Sequence, residues 1–375
     1  VRWGISLHIT LCCVVGSVAI FHTGALATRQ SESGGREAVS AAELRGVTKP
    51  TILFDVIPSN NPRERARLLG AQPFYVLYQS ADPDAGKTGR INPTKVIDAI
   101  RKETAGNVPV WGMLDFEDPF ISVLLKGSSS PEYRSTLQTM VAAIQAVKIA
   151  FPQTRWTYYG VPGVDLWFDG QSWDRLSDEE KRQKLAAAVQ TFEPLVAQLD
   201  WVSPTVYGKY DPALQTPVNA EPIVRAERAW RVAQVGVARL CANGKPVIPT
   251  IDPFWTPGGK APFATLIPRR MFIEEQVALT LEAGASGIAL WTAIDYFIKI
   301  AVEGATQPGS EEANFGPAEW RAAFTKDFLD GQTNVDWSNP STRMRLNTAT
   351  SDAIALAISD IVQWTTSRTL PPQPK

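Results

Sequence analysis

From Pro50 to about residue 300 the chain repeats one pattern, a short apolar run followed by a longer amphipathic stretch. The apolar runs are 51–57, 74–79, 108–116, 155–161, 199–207, 246–251 and 286–291, rich in Val, Ile, Leu and aromatic residues. Nearly continuous apolar runs of this length are expected of parallel strands covered on both faces. Between them the spacing predicts helices over 93–104, 133–151, 178–198, 222–243 and 269–283, and beyond residue 300 over 314–329 and 351–368. Seven strands alternating with helices leave two architectures, a closed barrel or an open doubly wound sheet. An open sheet that binds a nucleotide wants a glycine-rich turn after its first strand, and Pro58-Ser59-Asn60-Asn61-Pro62 cannot serve. Polar and aromatic residues (Asp115, Glu117, Tyr207, Asp252 and Trp291) stand at the C-terminal ends of separate runs, which a barrel brings to one mouth. The expectation is therefore an α/β, TIM-like (β/α) barrel of seven or eight strands, a single domain over 48–370 with a C-terminal helical extension. The eighth strand is not evident in the sequence.

The ends read differently. Arg2, an apolar run from Trp3 to Phe21 and the exit Ala25-Leu26-Ala27 have the layout of a secretory signal peptide cleaved after Ala27. Residues 28–47 read as a flexible leader and 371–375 as a disordered tail. A secreted or cell-envelope location follows as an expectation, with the membrane met only through the signal. That expectation changes the available chemistry. Both histidines, His8 and His22, lie in the signal, as do Cys12 and Cys13, leaving Cys241 alone. A mature chain without histidine has no His-based triad and no His-ligated metal, so acid–base work falls to carboxylates and tyrosines. No cofactor and no metal are expected. A net charge of −1 argues against a nucleic-acid partner, and a monomer is expected. Twelve Trp, eight Tyr and fifteen Phe supply flat rings for core or for sugar faces.

The segment Val108-Pro-Val-Trp-Gly-Met-Leu-Asp115-Phe116-Glu117-Asp118 ends a buried run in three acids over four residues. Strand alternation puts Asp115 and Glu117 on one side, their Cβ atoms roughly 6–7 Å apart, and Phe116 on the other. Neighbouring carboxylates raise one another's pKa, which suits one of them to act as a general acid. An ordinary ion pair or a metal-ligand set would carry the same pattern.

Four segments together resemble one family, the hyaluronidases of animal tissues and venoms. Asp115-Phe116-Glu117 is similar to that family's Asp-Trp-Glu, and Trp156-Thr157-Tyr158-Tyr159-Gly160-Val161-Pro162 to its Trp-Gly-aromatic-Tyr-Gly-Phe-Pro. Leu199-Asp200-Trp201-Val202-Ser203-Pro204-Thr205-Val206-Tyr207 is similar to its Pro-Ser-Ile-Tyr strand end, and Glu282-Ala283-Gly284-Ala285-Ser286-Gly287-Ile288-Ala289-Leu290-Trp291 to its Leu-Gly-Ala-Ala-Gly-Val-Val-Leu-Trp. The order and intervals agree over roughly residues 50–300. The resemblance implies a retaining endo-β-N-acetylhexosaminidase acting on a hyaluronan- or chondroitin-like polysaccharide, with the substrate's own 2-acetamido oxygen as nucleophile. It implies Glu117 as general acid, Asp115 orienting the acetamido group, Tyr207 bonding its carbonyl, Tyr159 supporting the reacting sugar and Trp291 walling the acetamido methyl.

Asp252 and Asp295 have no counterpart and stand as site-rim residues; Trp255 is a candidate sugar-stacking ring. Arg63, Arg65, Lys87, Arg90, Lys209, Lys260, Arg269 and Arg270 are basic residues near loops that could meet a uronate. The family's disulfides cannot form here, and Asp118-Pro119-Phe120 departs from its acid-or-small-residue, Trp-Arg sequence. A chitinase-like hydrolase and a catalytically silent carbohydrate-binding envelope protein on the same barrel are the alternatives.

Overall fold

A computed structural model of the chain describes residues 50–55, 70–164, 173–208, 217–255, 266–292, 298, 301–302, 321–322, 324–325, 328–329 and 335–372. The expected signal, the leader and residues 373–375 of the tail lie outside them, as does most of the helix expected over 314–329.

Six of the seven expected runs are strands: β1 Thr51–Asp55, β2 Gln72–Tyr78, β3 Trp111–Asp115, β4 Arg155–Tyr158, β5 Thr250–Ile251 and β6 Gly287–Leu290. They form one sheet in the order β4-β3-β2-β1-β6-β5, parallel at every pairing. The seventh run, 199–207, is not a strand. It lies between the two edge strands and touches each through isolated bridges, Tyr159 with Ser203 on one side, Val202 with Val247 and Thr205 with Thr250 on the other. Backbone hydrogen bonds accompany them: Asp200 N to Trp156 O at 2.9 Å on the first side, and on the other Val202 N to Pro246 O at 2.9 Å, Ile248 N to Val202 O at 2.8 Å, Thr250 N to Pro204 O at 2.9 Å and Val206 N to Thr250 O at 3.0 Å. Proline is the physical reason. Pro204 has no N–H to complete the alternating bonds with the 246–250 segment, and Pro249, whose carbonyl accepts from Ala289 N, has none to give β6, so regular pairing is interrupted and β5 is two residues long. The expected closed barrel of seven or eight strands is thus a curled six-stranded parallel sheet with a bridged segment across its opening, and no eighth strand occurs among the described residues.

The helices follow the amphipathic stretches. In chain order they are α1 Pro93–Thr104, α2 Phe120–Leu125, α3 Tyr133–Ala150, α4 Asp178–Val196 and α5 Pro217–Ala242. Then α6 runs from Arg269–Met271 through a π-wound stretch Phe272–Ala278 to Leu279–Glu282, and α7 is Pro340–Ser367. Local chemistry sets their starts. The Asn92 side chain accepts from Thr94 N and Lys95 N ahead of Pro93, and Ser177 with Glu180 forms a capping box. Helix α5 begins at Pro217, not at the expected Pro222, and α7 begins at Pro340 behind an Asn339 cap, not near 351. Both prolines suit a first helical turn; the apolar periodicity starts only later.

Period two along the strands divides the core. One alternate set faces the concave side of the sheet, where Leu53, Phe74, Val76, Trp111, Met113, Trp201, Ile248 and Ala289 form a cluster of their own. Trp111 meets Trp201 edge-on at 5.6 Å and Phe74 meets Trp201 at 6.4 Å. The other set, with Ile52, Phe54, Leu114, Trp156 and Leu290 among it, packs under the helices.

Candidate active site at the strand ends

Continuing the concave-facing set by two residues toward each C-terminal end gives Tyr78 after Val76, Asp115 after Met113, Asp252 after Thr250 and Trp291 after Ala289. Tyr159 continues Thr157 in the same way, Tyr207 stands two alternations beyond Ser203, and Glu117 follows Asp115 just past its strand. The registers level these ends, since Tyr78 pairs with Asp115 and Leu114 with Tyr158. Below them a buried Ser203 Oγ and Thr250 Oγ1 share a hydrogen bond of 2.7 Å. The layer above is where the sequence expected its site.

Three rings meet there. Tyr207 stacks on Trp291 with centroids 5.7 Å apart and planes 16° from parallel. Tyr159 lies 6.2 Å from Tyr207 and 5.9 Å from Trp291, tilted to both. The Trp291 indole Nε1 donates to the Tyr78 hydroxyl at 3.0 Å. Tyr78 was missed by sequence reasoning, although its place at the end of an alternating run carried the same signal as the others.

The carboxylates sit in different surroundings. Asp115 is buried at the strand end, Phe116 is buried on the opposite side among the helix-facing core, and Glu117 is exposed. Burial holds the Tyr159 phenol well above its usual 10, and the charges of Glu117, Asp115 and Asp252 push the same way. Burial does the same for Tyr207, seconded by Tyr159, Asp252 and Asp115. Two phenols near three acids therefore keep their protons and remain hydrogen-bond donors. An exposed carboxyl that can exchange a proton with bulk water, a buried one, two neutral phenol donors and a stacked ring pair make a set able to move a proton and to bond a polar ligand.

Side chains from the surrounding helices hold the strand ends. Arg231 of α5 is buried, donates from Nε to the Val206 carbonyl at 3.3 Å and pairs with Glu227 at 2.9 Å. Gln234 accepts from Val164 N at 2.8 Å, beyond Tyr159. Gln276 in the π-wound stretch donates to the Asp252 carbonyl at 3.3 Å, and Asp252 Oδ1 accepts from Phe254 N at 3.0 Å.

Other expected residues are placed elsewhere. Trp255 is buried with its ring against Gly208, the residue after Tyr207, where an added Cβ would come within 2.8 Å of Cζ3. Arg269 is bound to Asp360 of α7 by bonds of 2.8 and 2.7 Å and Arg270 to Glu274 at 3.0 Å. Lys87 and Arg90 are exposed. Asp295, Arg63, Arg65, Lys209 and Lys260 lie outside the described residues. Among the described residues no three of His, Cys, Asp and Glu gather as a metal-ligand set, and no helix is long and apolar enough to cross a membrane.

No family model matches the chain. No curated protein matches it either. Among solved structures, it is similar to bee venom hyaluronidase at 12% identity and TM-score 0.40, over 81% of this chain and 99% of that one. The bee venom hyaluronidase complex with a hyaluronic acid tetramer gives 15% identity and TM-score 0.42, over 65% and 91%. A GH18 chitinase from Pseudoalteromonas aurantia gives 14% identity and TM-score 0.35, over 60% and 71%.

Proposed function

We propose that this chain is a glycoside hydrolase that cleaves an N-acetylhexosamine polysaccharide with retention, using the substrate's acetamido group as internal nucleophile. One observation carries the reading. The Tyr159 phenol feels the charges of both Glu117 and Asp115 while its ring packs with Tyr207 and Trp291, so residues from four separate segments act on one spot. The sequence resemblance supplies the substrate class.

In this reading the Glu117 carboxyl, open to solvent, gives its proton to the glycosidic oxygen as the C1–O bond breaks. The acetamido carbonyl oxygen bonds to C1 from the opposite face. Buried Asp115 accepts the amide N–H and steadies the positive charge that forms on it, and the neutral Tyr207 hydroxyl orients the acetamido oxygen. Trp291, stacked on Tyr207, walls the methyl group. Water then attacks C1, ionised Glu117 takes its proton, and the acetamido group is released unchanged. Two inversions give retention, with no covalent bond to the protein. The reading has the protein act as a monomer outside the cytoplasm after loss of residues 1–27.

The test is release of reducing ends from hyaluronan, chondroitin and chitin oligomers, with the first-formed anomer read by NMR. Wild type is expected to release β-anomeric product, and Glu117→Gln to lose about 100-fold or more of that rate. A folded wild type that binds these polymers without cutting any of them would overturn the enzymatic reading in favour of a sugar-binding protein.

A further inference from the structure

The acid loop is held by a residue of the neighbouring strand end. Gln79 follows Tyr78, the last residue of β2, and its Nε2 donates to the carbonyl of Asp118 at 2.8 Å. Asp118 is the residue after Glu117. A carbonyl can only accept, so the amide nitrogen must face it. Gly86, in the short helix Ala85–Thr88, leaves the room this requires: a Cβ there would stand 2.8 Å from Gln79 Nε2 and 3.7 Å from the Asp118 oxygen. The same loop is fastened on its far side, where Ile121 N donates to the Glu117 carbonyl at 2.8 Å and the Ser122 hydroxyl to the Asp118 carboxylate. The Gln79 bond adds a side-chain tie from this loop to the end of β2, just beyond the point where Tyr78 pairs with Asp115.

We infer that Gln79, given room by Gly86, is the positioning residue for Glu117: it fixes the acid loop to the end of β2 and so sets where the Glu117 carboxyl meets the scissile oxygen. This rests on the function proposed above. The orientation effect is the familiar one, in which a displacement of about 1 Å costs on the order of 100-fold in rate.

Two variants test it. Gln79→Glu keeps the shape but turns the donor into a carboxylate facing a carbonyl; Gly86→Ala keeps Gln79 and displaces its amide, at a helical site that accepts alanine. Hydrogen exchange with mass spectrometry at pH 7 should show faster uptake over 116–125 in both, with the β1 and β6 peptides unchanged. In turnover, both should lose about 10- to 100-fold in kcat with little change in KM. The Gln79→Glu deficit should shrink below about pH 4.3, where the new carboxyl regains a proton to donate. Unchanged exchange over 116–125 in both variants overturns the tether whether or not the protein is an enzyme. Faster exchange with undiminished kcat in an active protein overturns the positioning role. A wild type with no turnover on any polymer overturns the proposed function and the positioning role with it, and exchange alone then decides the tether.

Discussion

The pairing of Arg269 with Asp360 offers a sharp test of how a residue's role follows from where the fold puts it. As sequence, Arg269 opens an expected helix beside a loop and is one of the cations that could meet a uronate. In the fold, its guanidinium makes two parallel bonds to a carboxylate on α7 that is only 2% exposed, while the arginine side chain itself is 43% exposed. The partners are thus unequally buried, and so are the costs of removing them. Arg269→Ala leaves a buried acid without its partner, a loss of about 3–5 kcal/mol. Asp360→Leu removes the buried charge altogether and leaves an arginine that water can solvate. Two charge-assisted bonds are lost, but the desolvation of the carboxylate is no longer incurred, and the net change stays within about 2 kcal/mol. Urea unfolding of both variants, compared at equal m, gives the two numbers. Binding of hyaluronan to folded Arg269→Ala supplies the second arm, and unchanged affinity is expected. Equal losses in the two variants, or a loss of polyanion binding with stability intact, would refute the reasoning.

At the acid pair, Asp115→Asn should lower turnover less than Glu117→Gln, because an amide still meets the acetamido group while the glutamine has no proton to give; reducing-end assays at saturating substrate rank the two. Tyr159 and Tyr207, both held above the usual 10 chiefly by burial, stay protonated in the fold when the unfolded chain has already lost those protons. Folding then takes up protons, so stability should fall as pH rises past about 10, and Tyr207→Phe should flatten that decline in urea midpoints taken from pH 9 upward. Equal slopes would contradict it. Gly112→Ala drives a Cβ to 2.5 Å from Cζ3 of the fully buried Trp156 and should cost about 1–3 kcal/mol. Gly236→Ala, on α5 with nothing within 4 Å, should stabilise by up to about 1 kcal/mol, and thermal melts of the pair check the contrast.

Much of this molecule could be read from local patterning. The strand runs and helix spans follow from hydrophobic period and from caps such as Asn92-Pro93 and the Ser177–Glu180 box, which act over a few residues and need no tertiary context. The strand-end residues Asp115, Glu117, Tyr207 and Trp291 were legible for the same reason: alternation fixes which side each faces, and parallel strands bring like ends together. Tertiary structure decided what depends on partners far along the chain. The segment 199–207 reads as a strand on its own, yet it joins its neighbours through isolated bridges, and Pro204 has no N–H to complete the run of bonds made with the 246–250 segment. Trp255 lies against Gly208 and Arg269 pairs with Asp360, partners 47 and 91 residues away in sequence. Gln79 had no visible task until the fold set its amide against the Asp118 carbonyl, 39 residues on. Period and capping are properties of neighbours in sequence; burial, closure and tethering belong to neighbours in space.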